Sequence, residues 1–437
     1  MRKKVCLILV VCFVIALAGS VTLAEPHSIP GGPWTQPEQT RMLESLSQPE
    51  DVEKELLAIE RRSMGRMEVE LIGHSAGYEW PIYVAKFGEP CEDKARILID
   101  TQIHGGEPLG TEAALGMIQQ LAMSNNPEIR MILDNVTVWI IPMLNMDGAT
   151  FFERDDDWLR GQAQSRQNIQ HWTPEEWGLD PDTPDPWYRS AWTVRDLEIT
   201  GKYDGIGGYD MNRDAHPHLD FDLSKHDEHG HIPSGWGGEP GFYVCPEIRA
   251  LRDVFKKLEP DLYVNHHHRG SALVDEEDRE LMTLQILGKF VPLEFEFELY
   301  QDGEHHVYYL DEDSLKLSKQ VNALVYQKLD AMGDSPFTHV TKFPLVHEWS
   351  DGRGLPGTTL GSFSMNDSAV MLYEVRGFHI GQQSSGMLTR QSYIGLYETL
   401  LGFATGEVYE IDPAFYDDEI PPAGPSIGRP ERGVEGF

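Results

Sequence analysis

Short apolar stretches alternate along this chain with segments whose apolar residues recur at helical spacing. The stretches at 69–72, 81–87, 96–100, 136–143, 262–264 and 369–375 have the length and the apolar, often β-branched composition of strands. The segments at 52–62, 111–123, 248–258 and 389–404 have the spacing or composition of helices. Short apolar strands separated by helices predict an α/β fold with a mostly parallel sheet that helices cover on both faces.

The first 24 residues have the layout of a secretory signal peptide. Positive residues at 2–4 precede an apolar run at 5–18, and small residues offer cleavage after Ala18 or Ala24. The apolar run is shorter than the ~20 residues that a membrane span needs, which favours cleavage over anchoring. We therefore expect a secreted or periplasmic protein that has no membrane contact after cleavage.

Composition divides the rest of the chain. Residues 25–50 are rich in proline, glycine and polar residues and are predicted to be a linker, whereas 51–405 form one domain by their length. Inside that domain, 149–208 contain five tryptophans among many Asp, Pro and Gln residues. Such a long connection predicts a lid or a binding surface. The acidic segment 406–437 is predicted to be a tail that wraps the surface or stays loose.

Charge and cysteine content argue against several kinds of partner and against one kind of metal site. The 437 residues include 36 Lys and Arg against 71 Asp and Glu, a formal net charge of -35. Such an acidic surface repels nucleic acid and anionic lipid, and it would also repel acidic peptides. After signal cleavage Cys91 and Cys245 remain, either as a disulfide or as two free thiols, and they are too few for a cysteine-based metal site.

Two histidine-containing segments follow predicted strands. His104 and Glu107 come after the strand at 96–100, and the two glycines between them allow the backbone to turn so that both side chains face one metal ion. Three adjacent histidines at 266–268 follow another strand. Because side chains alternate along a strand, one face receives either the outer two histidines or His267 alone. Each motif by itself is also compatible with a polar loop or a metal-free histidine cluster.

Two further motifs carry charged side chains. Asn212 and Arg213 could bind a carboxylate through an amide and a two-pronged guanidinium, or they could form a structural salt bridge. Glu374 ends an apolar strand, where an ionised carboxylate is costly unless a neighbour compensates. It is either a general base or the ion-pair partner of Arg376. The turn at 145–148, with Asn, Asp and Gly, is assigned a structural role.

The order of these motifs resembles the zinc carboxypeptidase family, peptidase family M14. His-x-x-Glu, Asn-x-Asp-Gly, Asn-Arg, a histidine after a strand and Glu-x-Arg follow one another as they do in that family, and the likeness extends over 52–404. The resemblance implies a single catalytic domain at 51–405, with a mixed, mostly parallel sheet of about eight strands flanked by helices on both faces.

The resemblance also implies a cofactor, one zinc ion per chain. Its ligands would be His104, Glu107 and His267, with His266 as the alternative third ligand. His267 is preferred because Asn265 takes the place of the small polar residue that stands two positions before the ligand in the family.

Catalytic roles follow from the same resemblance. Asn212 and Arg213 would bind the C-terminal carboxylate of a peptide substrate, and Glu374 would be the general base for a zinc-activated water. The family's oxyanion-stabilising arginine has two candidates here, Arg160 and Arg195. The family's substrate-contacting tyrosine has no counterpart, since no tyrosine lies between Trp349 and Tyr373.

These roles predict zinc-dependent hydrolysis of a C-terminal peptide bond. The missing tyrosine and the long insertion keep open a zinc amide hydrolase that acts on an acylated amino acid. A secreted metal-binding protein without catalysis is the third interpretation, and the carboxylate of Glu374 argues against it.

Overall fold

The computed structural model describes residues 46–150, 152–155, 160–163, 166–170, 208–223, 240–275, 280–301, 304–333, 335–344, 354–377 and 382–426. The predicted signal peptide, nearly all of the predicted linker and most of the predicted insertion therefore lie outside the described residues. In this part of the chain no helix is both long enough and apolar enough to cross a membrane.

Eight strands form one mixed sheet. The strands of the described chain are β1 (Glu68–His74), β2 (Pro81–Phe87), β3 (Ala95–Thr101), β4 (Val136–Ile141), β5 (Phe152–Asp155), β6 (Arg160–Ala163), β7 (Leu262–Arg269), β8 (Leu284–Leu287), β9 (Glu296–Gln301), β10 (Glu304–Tyr309), β11 (Val340–Lys342) and β12 (Ala369–Arg376). The sheet has the order β1-β2-β4-β3-β7-β12-β8-β11, while β5 pairs with β6 and β9 with β10. Its four central strands, β4, β3, β7 and β12, run parallel to one another. The pairs β1–β2, β2–β4 and β12–β8 are antiparallel.

Helices cover both faces of this sheet. They are α1 (Pro49–Arg62), α2 (Leu109–Met123), α3 (Pro127–Asn135), α4 (Met146–Ala149), α5 (Pro246–Leu258), α6 (Glu312–Asp330), α7 (Thr359–Ser364), α8 (Gln382–Thr405) and α9 (Ala414–Asp418). The long helix α8 packs against α2, α3 and α6 on one face. On the other face α5 meets α7, where the rings of Phe255 and Phe363 stack with centroids 4.0 Å apart. Because both faces are covered, every residue of β4 is buried.

Local sequence explains where several helices begin. Helix α5 begins at Pro246, whose missing N–H is not needed in a first helical turn. The side chain of Asn126 accepts a hydrogen bond from the N–H of Glu128 and caps α3. The side chain of Asp311 caps α6 in the same way through the N–H of Ser314.

The predicted α/β class and the mixed sheet of eight strands are confirmed. The structure extends β7 beyond the predicted 262–264, through the three histidines to Arg269. Helix α6 and the β9–β10 hairpin were not predicted. Cys91 is exposed, Cys245 is buried, and both are free thiols.

The first part of the predicted tail packs on the domain. Tyr416 is buried and its hydroxyl accepts a hydrogen bond from the N–H of Gly288. Lys319 of α6 and Asp417 form a salt bridge with an N–O distance of 2.6 Å. The described part of the tail, up to residue 426, therefore wraps the surface.

Candidate active site

The residues with candidate chemistry meet at the carboxyl edge of the central parallel strands. His104 follows β3, His267 lies near the end of β7, and Glu374 lies near the end of β12. The register pairs Glu374 with His267 across the two neighbouring strands. In open parallel sheets this edge is where ligands bind.

Three buried side chains direct their ligand atoms to one point. The Nδ1 atom of His104 lies 2.9 Å from Oε1 of Glu107, and Nδ1 of His267 lies 3.0 Å from Oε2 of Glu107. The two Nδ1 atoms are 3.1 Å apart. A tetrahedral zinc ion with bonds of about 2.0–2.1 Å places its ligand atoms roughly 3.3 Å apart. The spacing of these three side chains therefore fits zinc.

The outer nitrogens of both histidines lie within hydrogen-bond distance of acceptors, and Nε2 of His267 also lies 3.3 Å from the amide nitrogen of Asn212. Nε2 of His104 lies 3.2 Å from Oδ1 of Asp210, and Nε2 of His267 hydrogen-bonds with Oδ1 of Asn265. When each Nε2–H donates to these oxygens, each Nδ1 presents a lone pair to the ligand point. Two lone pairs and the carboxylate of Glu107 then face one another, which is favourable only around a cation.

The orientation of Asn265 is in turn determined by a buried carboxylate. Its Nδ2 atom lies 2.9 Å from each carboxylate oxygen of Asp100, and both residues are completely buried. Burial raises the pKa of Asp100 to about 7. Its ionised form only accepts hydrogen bonds, so in that form the amide nitrogen faces Asp100 and the amide oxygen faces His267. Asp100 thereby acts on the zinc ligand through Asn265.

Burial and the neighbouring charges determine the protonation of the ligands. Burial opposes the ionisation of Glu107, but His104 and His267 outweigh it and hold the pKa of Glu107 well below its usual range. Burial lowers the pKa of His267 to about 4, so its ring is neutral near pH 7. A neutral imidazole and an ionised carboxylate are the forms that bind metals.

The other two histidines of the run point away from this site. Nε2 of His266 lies 2.8 Å from the hydroxyl of Ser392 on α8, and Nε2 of His268 accepts the N–H of Leu109 at 3.1 Å. Side-chain alternation along β7 produces this division. The structure thus brings His267, and not the alternative His266, together with the other two proposed ligands.

Glu374 lies beside the ligands without being one of them. Its Oε2 atom is buried and has no hydrogen-bond partner among the described residues. Burial, followed by the negative charge of Glu107, raises its pKa well above the usual range, while Arg269 and Arg166 act in the opposite direction. The alternative ion pair with Arg376 is not found among the described residues.

The Asn212–Arg213 pair lies on a 3-10 turn, Met211–Arg213, that begins after Asp210. The Oδ1 atom of Asp210 accepts the N–H of Asn212 at 3.1 Å. The amide oxygen of Asn212 accepts the N–H of Thr359 at 3.1 Å, so this side chain is fixed at the start of α7. Arg213 donates to the carbonyl of Asn212 at 2.7 Å and is close enough to affect the charge of Glu374.

The structure places Arg166 at the site, a residue that the sequence analysis did not single out. Its Nε donates to Oδ2 of Asp210 at 2.9 Å, and its Nη1 lies 3.7 Å from Oε1 of Glu107. The side chains of Arg160 and Arg195 lie outside the described residues. No local motif surrounds Arg166, so only its contacts in the folded chain reveal it.

The Asn-x-Asp-Gly turn at 145–148 holds together the segments that form the site. Asn145 donates to the carbonyls of Ile103 at 3.0 Å and Arg166 at 3.2 Å. Gly105 needs to be a glycine, because a Cβ there would lie 2.0 Å from the carbonyl carbon of Gly148. The turn has the structural role assigned from the sequence, since it holds the segments that carry His104 and Arg166.

Comparison with known proteins agrees with this arrangement. The model of the zinc carboxypeptidase family matches residues 52–278, more than half of the chain. The chain therefore belongs to the zinc carboxypeptidase family, and it is a zinc metallopeptidase by that membership. The family depends on zinc, in agreement with the cofactor predicted from the sequence. No curated protein matches the sequence.

Solved structures share the fold at low sequence identity. Carboxypeptidase A from Helicoverpa armigera is 14% identical, with a TM-score of 0.55, over 85% of this chain and 76% of the other. Bovine thrombin-activatable fibrinolysis inhibitor, in complex with a tick carboxypeptidase inhibitor, is 12% identical, with a TM-score of 0.52, over 84% of this chain and 99% of the other. These likenesses concern the fold.

Proposed function

We propose that this protein removes the C-terminal residue of a peptide by zinc-dependent hydrolysis. The observation that carries the proposal is the meeting of His104, Glu107 and His267 at one point, with the buried carboxylate of Glu374 beside them. These three ligands would hold one zinc ion, which when bound lowers the pKa of a water molecule to about 7 and polarises a substrate carbonyl.

The chain's own groups would carry out the remaining steps. Glu374 accepts a proton at its carboxylate and passes it to the leaving amine. Burial and Glu107 raise the pKa of this carboxylate, and the nearby arginines act in the opposite direction. The positive charge of a bound metal ion would add to the effect of the arginines and favour the form that accepts a proton. Arg166, held by Asp210, donates N–H groups toward the carbonyl oxygen as negative charge develops there.

Arg213 would select a free C-terminus. A guanidinium binds a carboxylate through two parallel charged hydrogen bonds, and Arg213 is close enough to Glu374 for its charge to lower the pKa of that carboxylate. Asn212 would contribute mainly by holding the turn that carries Arg213 in place, because its amide oxygen already accepts a hydrogen bond from the N–H of Thr359.

One observation favours the second candidate, a zinc amide hydrolase that acts on an acylated amino acid. Tyr373 is fully buried, and a Cβ added at Gly395 of α8 would lie 2.4 Å from its hydroxyl. Tyr373 therefore faces α8 and cannot serve as the missing substrate-contacting tyrosine. A small acylated amino acid needs fewer contacts with the site than a peptide does, so its hydrolysis would not require such a tyrosine.

The test is incubation of the purified, zinc-loaded protein with a mixed peptide library, read by mass spectrometry. The expected products lack single C-terminal residues, and C-terminally amidated copies of the same peptides stay intact. Glu374→Gln should be inactive, whereas Glu398→Gln, a matched change of a glutamate on α8, should retain activity. Internal cuts, deacylation without trimming, or silence of the folded, zinc-loaded protein would each contradict exopeptidase activity.

A further inference from the structure

The described segments 166–170 and 208–223 meet next to the active site. Each contributes one member of an ion pair, Arg166 and Asp210, which are 44 positions apart along the chain. The side chain of Arg166 is 43% exposed and that of Asp210 is 12% exposed. An ion pair with one partner in contact with water contributes little by itself. The position of Arg166 therefore depends on what joins the two segments.

Asn168 joins these segments through two hydrogen bonds to a single residue. Its N–H donates to the carbonyl of Tyr209 at 3.2 Å, and its side-chain oxygen Oδ1 accepts the N–H of Tyr209 at 2.9 Å. The two segments lie in close contact, because a Cβ added at Gly208 would lie 2.1 Å from the carbonyl oxygen of Asn168. Asn168 is only 1% exposed, so water does not compete for these hydrogen bonds.

A buried carboxylate on α5 determines the orientation of this amide. Nδ2 of Asn168 donates to Oε2 of Glu247 at 3.1 Å and to the side-chain oxygen of Gln170 at 3.0 Å. Glu247 is completely buried, and its other oxygen accepts the N–H of Ala76 at 3.0 Å. An ionised carboxylate only accepts hydrogen bonds, so the amide nitrogen faces Glu247 and the amide oxygen faces Tyr209. The amide therefore ties both segments to α5, which packs against β1.

This connection reaches the metal ligands through the ion pair. Nε of Arg166 donates to Oδ2 of Asp210 at 2.9 Å, and Oδ1 of Asp210 lies 3.2 Å from Nε2 of His104. Asn168 stands two residues after Arg166, and its partner Tyr209 stands directly before Asp210. The pairing of Asn168 with Tyr209 therefore sets the distance between the two charged side chains.

We propose that Asn168 is a positioning residue, which holds the guanidinium of Arg166 against Asp210 and thereby orients it toward the carbonyl oxygen of the substrate. The catalytic part of this inference rests on the proposed exopeptidase function, in which Arg166 stabilises the negative charge that develops on that oxygen. The placement of Arg166 does not depend on that function and is measured separately.

The kinetic experiment replaces Asn168 with alanine and measures kcat and KM per folded, zinc-loaded molecule at pH 8. Burial and Asp147 raise the pKa of Glu247 to about 7, so this carboxylate is mostly ionised at that pH. Removing an oxyanion donor typically lowers kcat by ~10²–10³, so displacing Arg166 should lower it by roughly tenfold, with KM changed by less than about threefold.

A double-mutant cycle assigns this loss to Arg166. In an Arg166→Ala background, Asn168→Ala should lower kcat by less than about twofold, because the group that Asn168 positions is already absent. An equal loss of kcat in both backgrounds would overturn the proposal.

Nuclear magnetic resonance tests the placement of Arg166 without any reaction. Its Nε–H donates to Asp210, which should slow the exchange of this proton with water, and the signal is identified by its loss in Arg166→Lys. Asn168→Ala should accelerate the exchange by at least about tenfold. Unchanged exchange in folded Asn168→Ala would refute the positioning role. If wild-type protein cuts no peptide while the exchange still depends on Asn168, the placement stands and the exopeptidase function fails.

Further variants separate positioning from stability. Asn168→Asp places a carboxylate against Glu247 and should be at least as harmful as Asn168→Ala. Adding Glu247→Gln restores a donor and an acceptor between the same two side chains, and should recover part of kcat and of the slow exchange. The matched control is Asn322→Ala, because Asn322 is fully buried and donates at 2.7 Å to the carbonyl of Ser318. A control that loses as much kcat per folded molecule, or a double variant no better than Asn168→Asp, would contradict the assigned role.

Discussion

Replacing Asn265 with leucine tests how the buried network acts on zinc. Leucine has a similar size, but it removes the acceptor of His267 and the donor that faces both oxygens of Asp100. The Nε2–H of His267 then loses the partner that keeps the Nδ1 lone pair directed at the ligand point. Loss of such a partner typically weakens metal binding by ~10–100-fold, which is about 1.4–2.7 kcal/mol.

The same change should also destabilise the metal-free fold. Asp100 is fully buried, and burial raises its pKa to about 7 despite hydrogen bonds from Tyr263 and Asn265. Removing a hydrogen-bond partner from a buried polar group costs about 1–3 kcal/mol. The zinc dissociation constant is therefore measured on folded protein, by competition with a chromophoric chelator at pH 8, where Asp100 is mostly ionised.

A double-mutant cycle assigns the effect to the proposed network. If Asp100 acts on zinc through Asn265, Asp100→Asn should weaken zinc binding in the wild-type background and add nothing in the Asn265→Leu background. Asn322→Leu is the control, because Asn322 is buried and donates at 2.7 Å to the carbonyl of Ser318 within α6. An Asn265→Leu protein that binds zinc within about threefold of wild type would refute the reasoning.

Three further predictions concern catalysis, pH and the metal. Glu374→Gln should lower kcat by ~10²–10⁴ with zinc content retained, and equal kcat per zinc-loaded molecule would remove Glu374 from the mechanism. Burial and the charge of Asp147 raise the pKa of Glu247 from 4.5 to about 7, so this residue ionises less readily in the folded than in the unfolded chain. The free energy of unfolding should therefore fall by about 3 kcal/mol as pH rises from ~4.5 to ~7. Urea titrations at a series of pH values should show that Glu247→Gln lacks this part of the pH dependence. Metal analysis should find one zinc per chain and none after both His104 and Glu107 are changed to Ala; unchanged zinc content would exclude this site.

The sequence by itself determined the class of fold and most of the chemistry. Strands and helices were visible because their apolar spacing depends only on residues a few positions apart. His104 and Glu107 were visible for the same reason, since three positions and two glycines separate them. Glu374 stood out because a carboxylate at the end of an apolar strand is costly.

Tertiary structure decided which of these residues meet and what surrounds them. Alternation along β7 allowed two outcomes for the histidine run, and the side of the sheet that faces His104 selected His267. Asp100 and Asn265 are 165 positions apart, and they meet because β3 and β7 are neighbours. Strand order likewise brings Arg269 beside Arg376. Spacing along the chain carries no information about strand order, so contacts between distant strands become visible only in the folded protein.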